Sequence, residues 1–246
     1  IVSSSKRLNN KATISSVSQG KHHRWRIDPA QLKSYGLQKV NDLADDSLWW
    51  EQIAIGKRYL NILDFQEDSS FTVLICEDLA RSDLCHEVLR AIGPSIVFCL
   101  LMDSVQIAGR WPAFYSLGLA EDPGSSVLTF TSRGLIARSN AEREKKARNA
   151  DGRDKARGKG AAPLHNWSVA LWRNGNGATA ADDGVVMHEL HCPPGEHAVV
   201  LQLKSNKSDE RTLDGRIKNN VVAWGYVDSF TVRLDNDKIS HGPFKA

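Results

Sequence analysis

The apolar positions of this chain fall into short runs separated by polar, turn-rich stretches. "ATISSV" (residues 12–17) reads as a short strand leading into the basic cluster Lys21-His22-His23-Arg24-Trp25-Arg26. Residues 28–50 read as a loop with a short helix. "KRYLNILDF" (57–65) and "FTVLICE" (71–77) read as neighbouring strands, the second apolar enough to be buried on both faces. Residues 83–92 fit a helix with Leu84, Val88 and Leu89 on one face, stopped by Gly93-Pro94. "SIVFCLLM" (95–102) is the next buried strand, residues 111–119 form a further helix, and "SSVLTFTS" (125–132) returns to strand. "WSVALWRN" (167–174) and "HAVVLQL" (197–203) add two more strands, with the turn-rich "NGNGATAADDG" (174–184) between them. No repeat recurs at a fixed period. Strand and helix alternate early and strands dominate later, which predicts a layered α/β domain.

Composition changes this picture little. A net charge of +3 permits an anionic partner without demanding one. The longest apolar run, residues 96–102, is far too short to span a bilayer, so no membrane partner is expected. No charged-then-apolar signal segment opens the chain. The four cysteines, Cys76, Cys85, Cys99 and Cys192, lack the spacing of a disulfide scaffold, and a reduced, cytoplasmic protein is the simpler reading. The chain opens at Ile1 without a methionine, which reads as a piece of a longer polypeptide. Residues 142–160 hold eight Lys or Arg against four acids and almost nothing apolar, so a mobile basic loop is expected there. Such a loop could touch the phosphates of a nucleic acid. No aromatics interleave with its charges as a stacking groove requires, and a solvated loop is the simpler reading.

Cys76 carries the sharpest chemistry. A cysteine after a buried strand is usually a small core hydrophobe. Cys76, however, stands where its strand ends, with Glu77 and Asp78 marking the turn, and in α/β layers ligands collect at strand carboxyl ends. A thiol attacks only as thiolate, so it needs a cation or base nearby. The cluster around Lys21 could supply the cation, although alone it reads as a solvated basic edge. "HELHC" (188–192) groups His188, His191 and Cys192 closely but lacks the His-Glu-x-x-His spacing and a second ligand pair, so neither metal nor cofactor is expected. "CHE" (85–87) reads as structural.

"VLICEDL" (73–79) is similar to the cysteine motif of the nitrilase (carbon–nitrogen hydrolase) superfamily, and "ISSVSQGKHHRW" (14–25) to its strand and lysine step. "SIVFCLLM", residues 110–134 and "WSVALWRN" resemble later stretches, so the likeness runs from about residue 12 to 203, with only the cysteine motif distinctive. The whole wording also resembles nitrilase-like domains fused to prokaryotic reverse transcriptases in phage defence. The resemblance implies one nitrilase-like domain over residues 1–246, a four-layer αββα sandwich lacking its N-terminal part, and a homo-oligomer. It implies a Glu–Lys–Cys triad acting on an amide or nitrile through a cysteine thioester. Cys76 would be the nucleophile, Lys21 the oxyanion lysine, and the backbone amide of Glu77 a second oxyanion donor. Two departures stand out. Lys21 and Cys76 are 55 positions apart, which implies an insertion around residues 28–50. The base glutamate belongs before the lysine strand, yet residues 1–20 contain no Glu. Either it lies upstream of Ile1, or the domain is an inactive assembly module, with nucleic acid reached through a fused partner domain. Glu51 is a second carboxylate near the lysine, although an exposed acid at a helix end is its simpler reading.

Overall fold

Three apolar runs line up in parallel at the centre of this protein. The computed structural model describes residues 2–8, 11–37, 48–66, 68–81, 83–150, 165–176, 178, 186–211 and 213–233. Its elements run β1 (Val2–Leu8), β2 (Lys11–Val17), β3 (Arg26–Ile27), α1 (Pro29–Ser34), β4 (Trp49–Trp50), β5 (Leu63–Gln66), β6 (Ser69–Ile75), α2 (Leu84–Ile92) and β7 (Ile96–Leu101). They continue with α3 (Trp111–Glu121), β8 (Ser126–Thr131), α4 (Arg133–Ala150), β9 (Ser168–Arg173), β10 (Met187–His191), β11 (Ala198–Arg211) and β12 (Ile217–Val232). A six-stranded mixed sheet has the order β10-β9-β8-β7-β6-β5. β6, β7 and β8 are parallel, linked by crossovers carrying α2 and α3, while β5, β9 and β10 pair antiparallel. The α/β class expected from the alternating pattern is the class observed.

Strand alternation divides the sheet into two faces. Leu74, Val97, Cys99, Leu101 and Val127 point to one face and close a core with Leu89 of α2 and Leu119 of α3. Each of those seven is 5% exposed or less, so this face is dry. The register pairs Phe71 with Ile96 and Val73 with Phe98 on the opposite face. There Phe71 packs on Phe65 and Phe98, and Phe65 on Trp224 of β12. The β11–β12 hairpin covers this second face: Ser126 Oγ donates to the Trp224 carbonyl, and Trp224 Nε1 donates to Ser69 Oγ at 3.3 Å.

Several expectations need correction. The mobile loop expected at 142–160 is helical at residues 142–150, the end of α4, and residues 151–160 lie outside the described residues. Charge density argued for a loop, but Glu, Lys, Arg and Ala are strong helix formers, and oppositely charged residues four apart support a helix that buries little. α4 is anchored at its apolar start by Ile136, fully buried, and by Asn140, which exchanges hydrogen bonds with Asn166. The strand expected over 57–65 narrows to Leu63–Gln66, and residues 55–57 form a single 3-10 turn. In α2, Leu89 is buried but Val88 is 43% exposed. β6 is dry on the helix side only, because Phe71, Val73 and Ile75 remain half-buried beneath the hairpin face. Among the described residues no helix is long and apolar enough to cross a membrane.

Candidate active site

Cys76 begins where β6 runs out of partners. Its backbone φ is +54°, a left-handed conformation rare and costly outside glycine. It opens a 3-10 turn over Cys76–Leu79, so the sulfur leaves the strand line and the Glu77 amide turns towards it. The Met102 amide, just past the end of β7, also donates towards the sulfur. Two parallel strand ends therefore aim backbone N–H groups at one thiol.

The turn is wired to the lysine segment by Asp78. This carboxylate is fully buried and accepts from the backbone amides of His22 (3.0 Å) and His23 (2.9 Å), from His23 Nδ1 (2.9 Å) and from the Ile75 amide (3.2 Å). A buried carboxylate is tolerable only when donors surround it, as here. Further ties hold the same segment. Gln19 Nε2 donates to the Val73 carbonyl, the Asn61 amide donates to Gln19 Oε1 at 2.9 Å, and Arg58 donates to the His22 carbonyl at 2.9 Å. The other His23 nitrogen meets Asp83, the N-cap of α2. His22 Nε2 bonds the Tyr59 carbonyl, and buried His86 bonds the Asp78 carbonyl at 3.0 Å, so both hold the scaffold.

This wiring sets the segment carrying Lys21 against the turn that carries Cys76. The Lys21 charge pulls the Cys76 thiol down and the Glu51 charge pushes it up. Lys21 Nζ donates to Glu51 Oε2, which also accepts from the Trp25 amide at 3.0 Å. Glu51 is thus no exposed helix-end acid. It follows β4 in a loop and is half-buried, because the β3–β4 pairing returns the chain beside the lysine segment. Lys21 and Glu51 line one wall of an open cavity of about 790 Å³ that also includes Gly20, Lys57 and Tyr59.

Burial is the largest influence on Cys76 and raises its thiol above the ordinary 9.0, with Lys21 and the two amides only partly offsetting it. Cys76 therefore rests as a thiol, not the thiolate that a neighbouring lysine alone would favour. Burial raises the other cysteines too, Cys85 to about 12.

Two neighbours carried no sequence signal. Tyr35, just after α1, interacts electrostatically with Cys76, and the Arg138 guanidinium of α4 lies 4.9 Å from the Tyr35 ring centroid. Only the fold joins them to residues so distant in sequence. Asp78 did have a signal, an acid two places after the cysteine, but it read as a turn marker and not as a clamp. The cluster at 188–192 lies elsewhere: His188 stacks on Tyr226 at 3.7 Å, and Cys192 is buried. Among the described residues no group of three His, Cys, Asp or Glu side chains could hold a metal ion. No protein-family model, curated protein or solved structure matches the chain.

Proposed function

We propose that this chain is a thiol hydrolase of carbon–nitrogen bonds in amides or nitriles, built as a nitrilase-like sandwich. The observation that carries this reading is a cysteine in a left-handed strand-end turn that receives two backbone amides and feels the charges of the paired Lys21 and Glu51. In the proposed reaction on an amide, Glu51 takes the Cys76 proton as sulfur bonds to the carbonyl carbon. Lys21 and the Glu77 amide hold the oxyanion. The carbon–nitrogen bond breaks as Glu51 returns the proton to the departing ammonia, leaving a thioester. Water then attacks the thioester carbon with Glu51 as base, the carbon–sulfur bond breaks as Glu51 hands that proton to the Cys76 sulfur, and the carboxylic acid leaves. Because the resting sulfur is protonated, a base is essential in this scheme. A reducing, cytoplasmic setting suits the four free thiols.

Glu51→Gln separates this from simple exposure, because two readouts should move in opposite directions. Removing the anion lowers the Cys76 thiol, so iodoacetamide should label it faster. Turnover of p-nitrophenyl acetate through an acetylated Cys76 should instead slow roughly 100-fold or more, the usual weight of a positioned base. Equal turnover in both proteins, or no acetylation of Cys76, overturns the reading. A second reading, an inactive nitrilase-like assembly module of a reverse-transcriptase defence protein, draws support from the raised thiol. The absence of acetylation would favour it.

A further inference from the structure

Where β11 passes over the second face of the sheet it leaves an apolar cleft of about 260 Å³ beneath it. Leu128 and Phe130 of β8 and Leu190 of β10 form its floor, and Val199 and Leu201 of β11 its roof. All but Leu190 are only half-buried, so the hairpin does not close over the apolar surface it covers. Just beyond the end of β8 stands Arg133, half-buried, the one Lys or Arg among the described residues that line the cleft. No Asp or Glu among them lines it. The Arg133 guanidinium lies 5.8 Å from the Trp167 ring centroid, and its Nε is buried with no hydrogen-bond partner among the described residues. A buried donor of this kind is uncommon in folded proteins and calls for an acceptor. Cys192, another wall residue, senses the same charge. Burial raises its thiol, and Arg133 pulls it down more than Glu196, outside the cleft, pushes it up.

We infer that this cleft binds a medium-chain carboxylic acid as its anion, the carboxylate on Arg133 and the hydrocarbon chain between the sheet and β11. A guanidinium is planar and permanently charged, so it holds a carboxylate through paired N–H donors, whereas a neutral head group would leave its charge unmatched. The walls favour a tail for the ordinary reason that they remove apolar surface from water. Volume sets the length. At the ~30 Å³ that a water molecule takes in the liquid, the cleft holds roughly eight or nine heavy atoms. The carboxylate uses three of these, which leaves a tail of about five or six carbons. The inference does not depend on the reaction proposed for Cys76.

The test titrates the sodium salts of straight-chain acids from acetate to decanoate, and 1-hexanol, into the full chain by calorimetry at constant ionic strength. Affinity should rise roughly fourfold for each added methylene, the weight of one buried CH₂ group, and level off near heptanoate, where the cleft is full. Hexanoate should bind about 10-fold or more tightly than 1-hexanol, the scale of a charge-assisted hydrogen bond. Arg133→Met should abolish that preference and Arg133→Lys restore part of it. Val199→Trp, which fills the cleft from its roof, should remove binding of both ligands, with circular dichroism unchanged in all three variants. The chain-length series and the comparison with the alcohol are read in the unaltered protein, so they decide the matter even where a variant folds poorly. Affinity that is flat from acetate onward means an adventitious ion only and overturns the assignment. So do equal affinities for hexanoate and 1-hexanol, a preference that survives Arg133→Met, hexanoate binding unchanged by Val199→Trp, or no binding at all.

Discussion

Asp78 does for this site what a disulfide does elsewhere: it holds two distant stretches of chain in one geometry. Asparagine offers one acceptor where the carboxylate offers two, and its amide would face His22, His23 and Ile75 donors. Asp78→Asn should therefore lose about 2–4 kcal/mol of stability, read as a lower urea midpoint. It should also uncouple Lys21 from the sulfur. Lys21→Ala should slow iodoacetamide labelling of Cys76 in the otherwise unchanged protein and leave it unaltered once Asp78 is Asn. Two titrations have opposite signs. The folded Cys76 thiol is raised, so the stability it confers is present below pH 9.0 and is lost as pH rises through the folded value. Its labelling rate should accordingly climb at higher pH than that of free cysteine. Partial burial raises Asp83, but hydrogen bonds from His23 and the Cys85 amide outweigh it and hold the carboxyl below 3.8. Its contribution is thus present at neutral pH and is lost as pH falls through that lower value.

Elements were legible where local chemistry decides them. α2 starts at Asp83, whose side chain accepts from the Cys85 amide, and ends at Gly93, where φ is +66°. Both signals stand in the sequence, and the strands of the parallel core announce themselves as apolar runs. α4 did not, because its charged half gains little from burial and only helix propensity favours it. β10 and β12 were missed for another reason: their polar residues tolerate strand geometry once a neighbour supplies hydrogen bonds, as β9 and β11 do. The loop after β9 carries a sharper constraint. A Cβ on Gly175 would lie 2.0 Å from the Gly124 carbonyl oxygen and 2.6 Å from the Ser125 carbonyl carbon. Backbone cannot yield as a side chain does. Gly175→Ala should cost at least about 3 kcal/mol, the upper range for overpacking, and lower the thermal midpoint without changing the fold.

At the scale of the whole molecule, two independent coverings hold one sheet. Helices seal one face, and the long hairpin lies over the other through Trp224 and Tyr226, whose amide donates to Asn174 Oδ1 at 3.1 Å. Trp224→Ala removes an aromatic partner of Phe65 and should cost about 3 kcal/mol with an unchanged denaturant slope, since the hairpin stays paired to itself. A steeper loss accompanied by a changed slope would show that the hairpin had detached. Cys76 and Lys21 were readable as candidates because each follows a strand-like run, and Glu51 as an acid near the lysine, whereas Tyr35 enters only through long-range packing. The Asp78 clamp has a consequence for how the protein comes into being. It closes a loop of 56 residues, and such contacts carry an entropic cost that delays them until most of the sheet has formed. A growing chain therefore displays Lys21 and Cys76 as unrelated side chains, and the grouping around the sulfur comes into existence only with the finished fold.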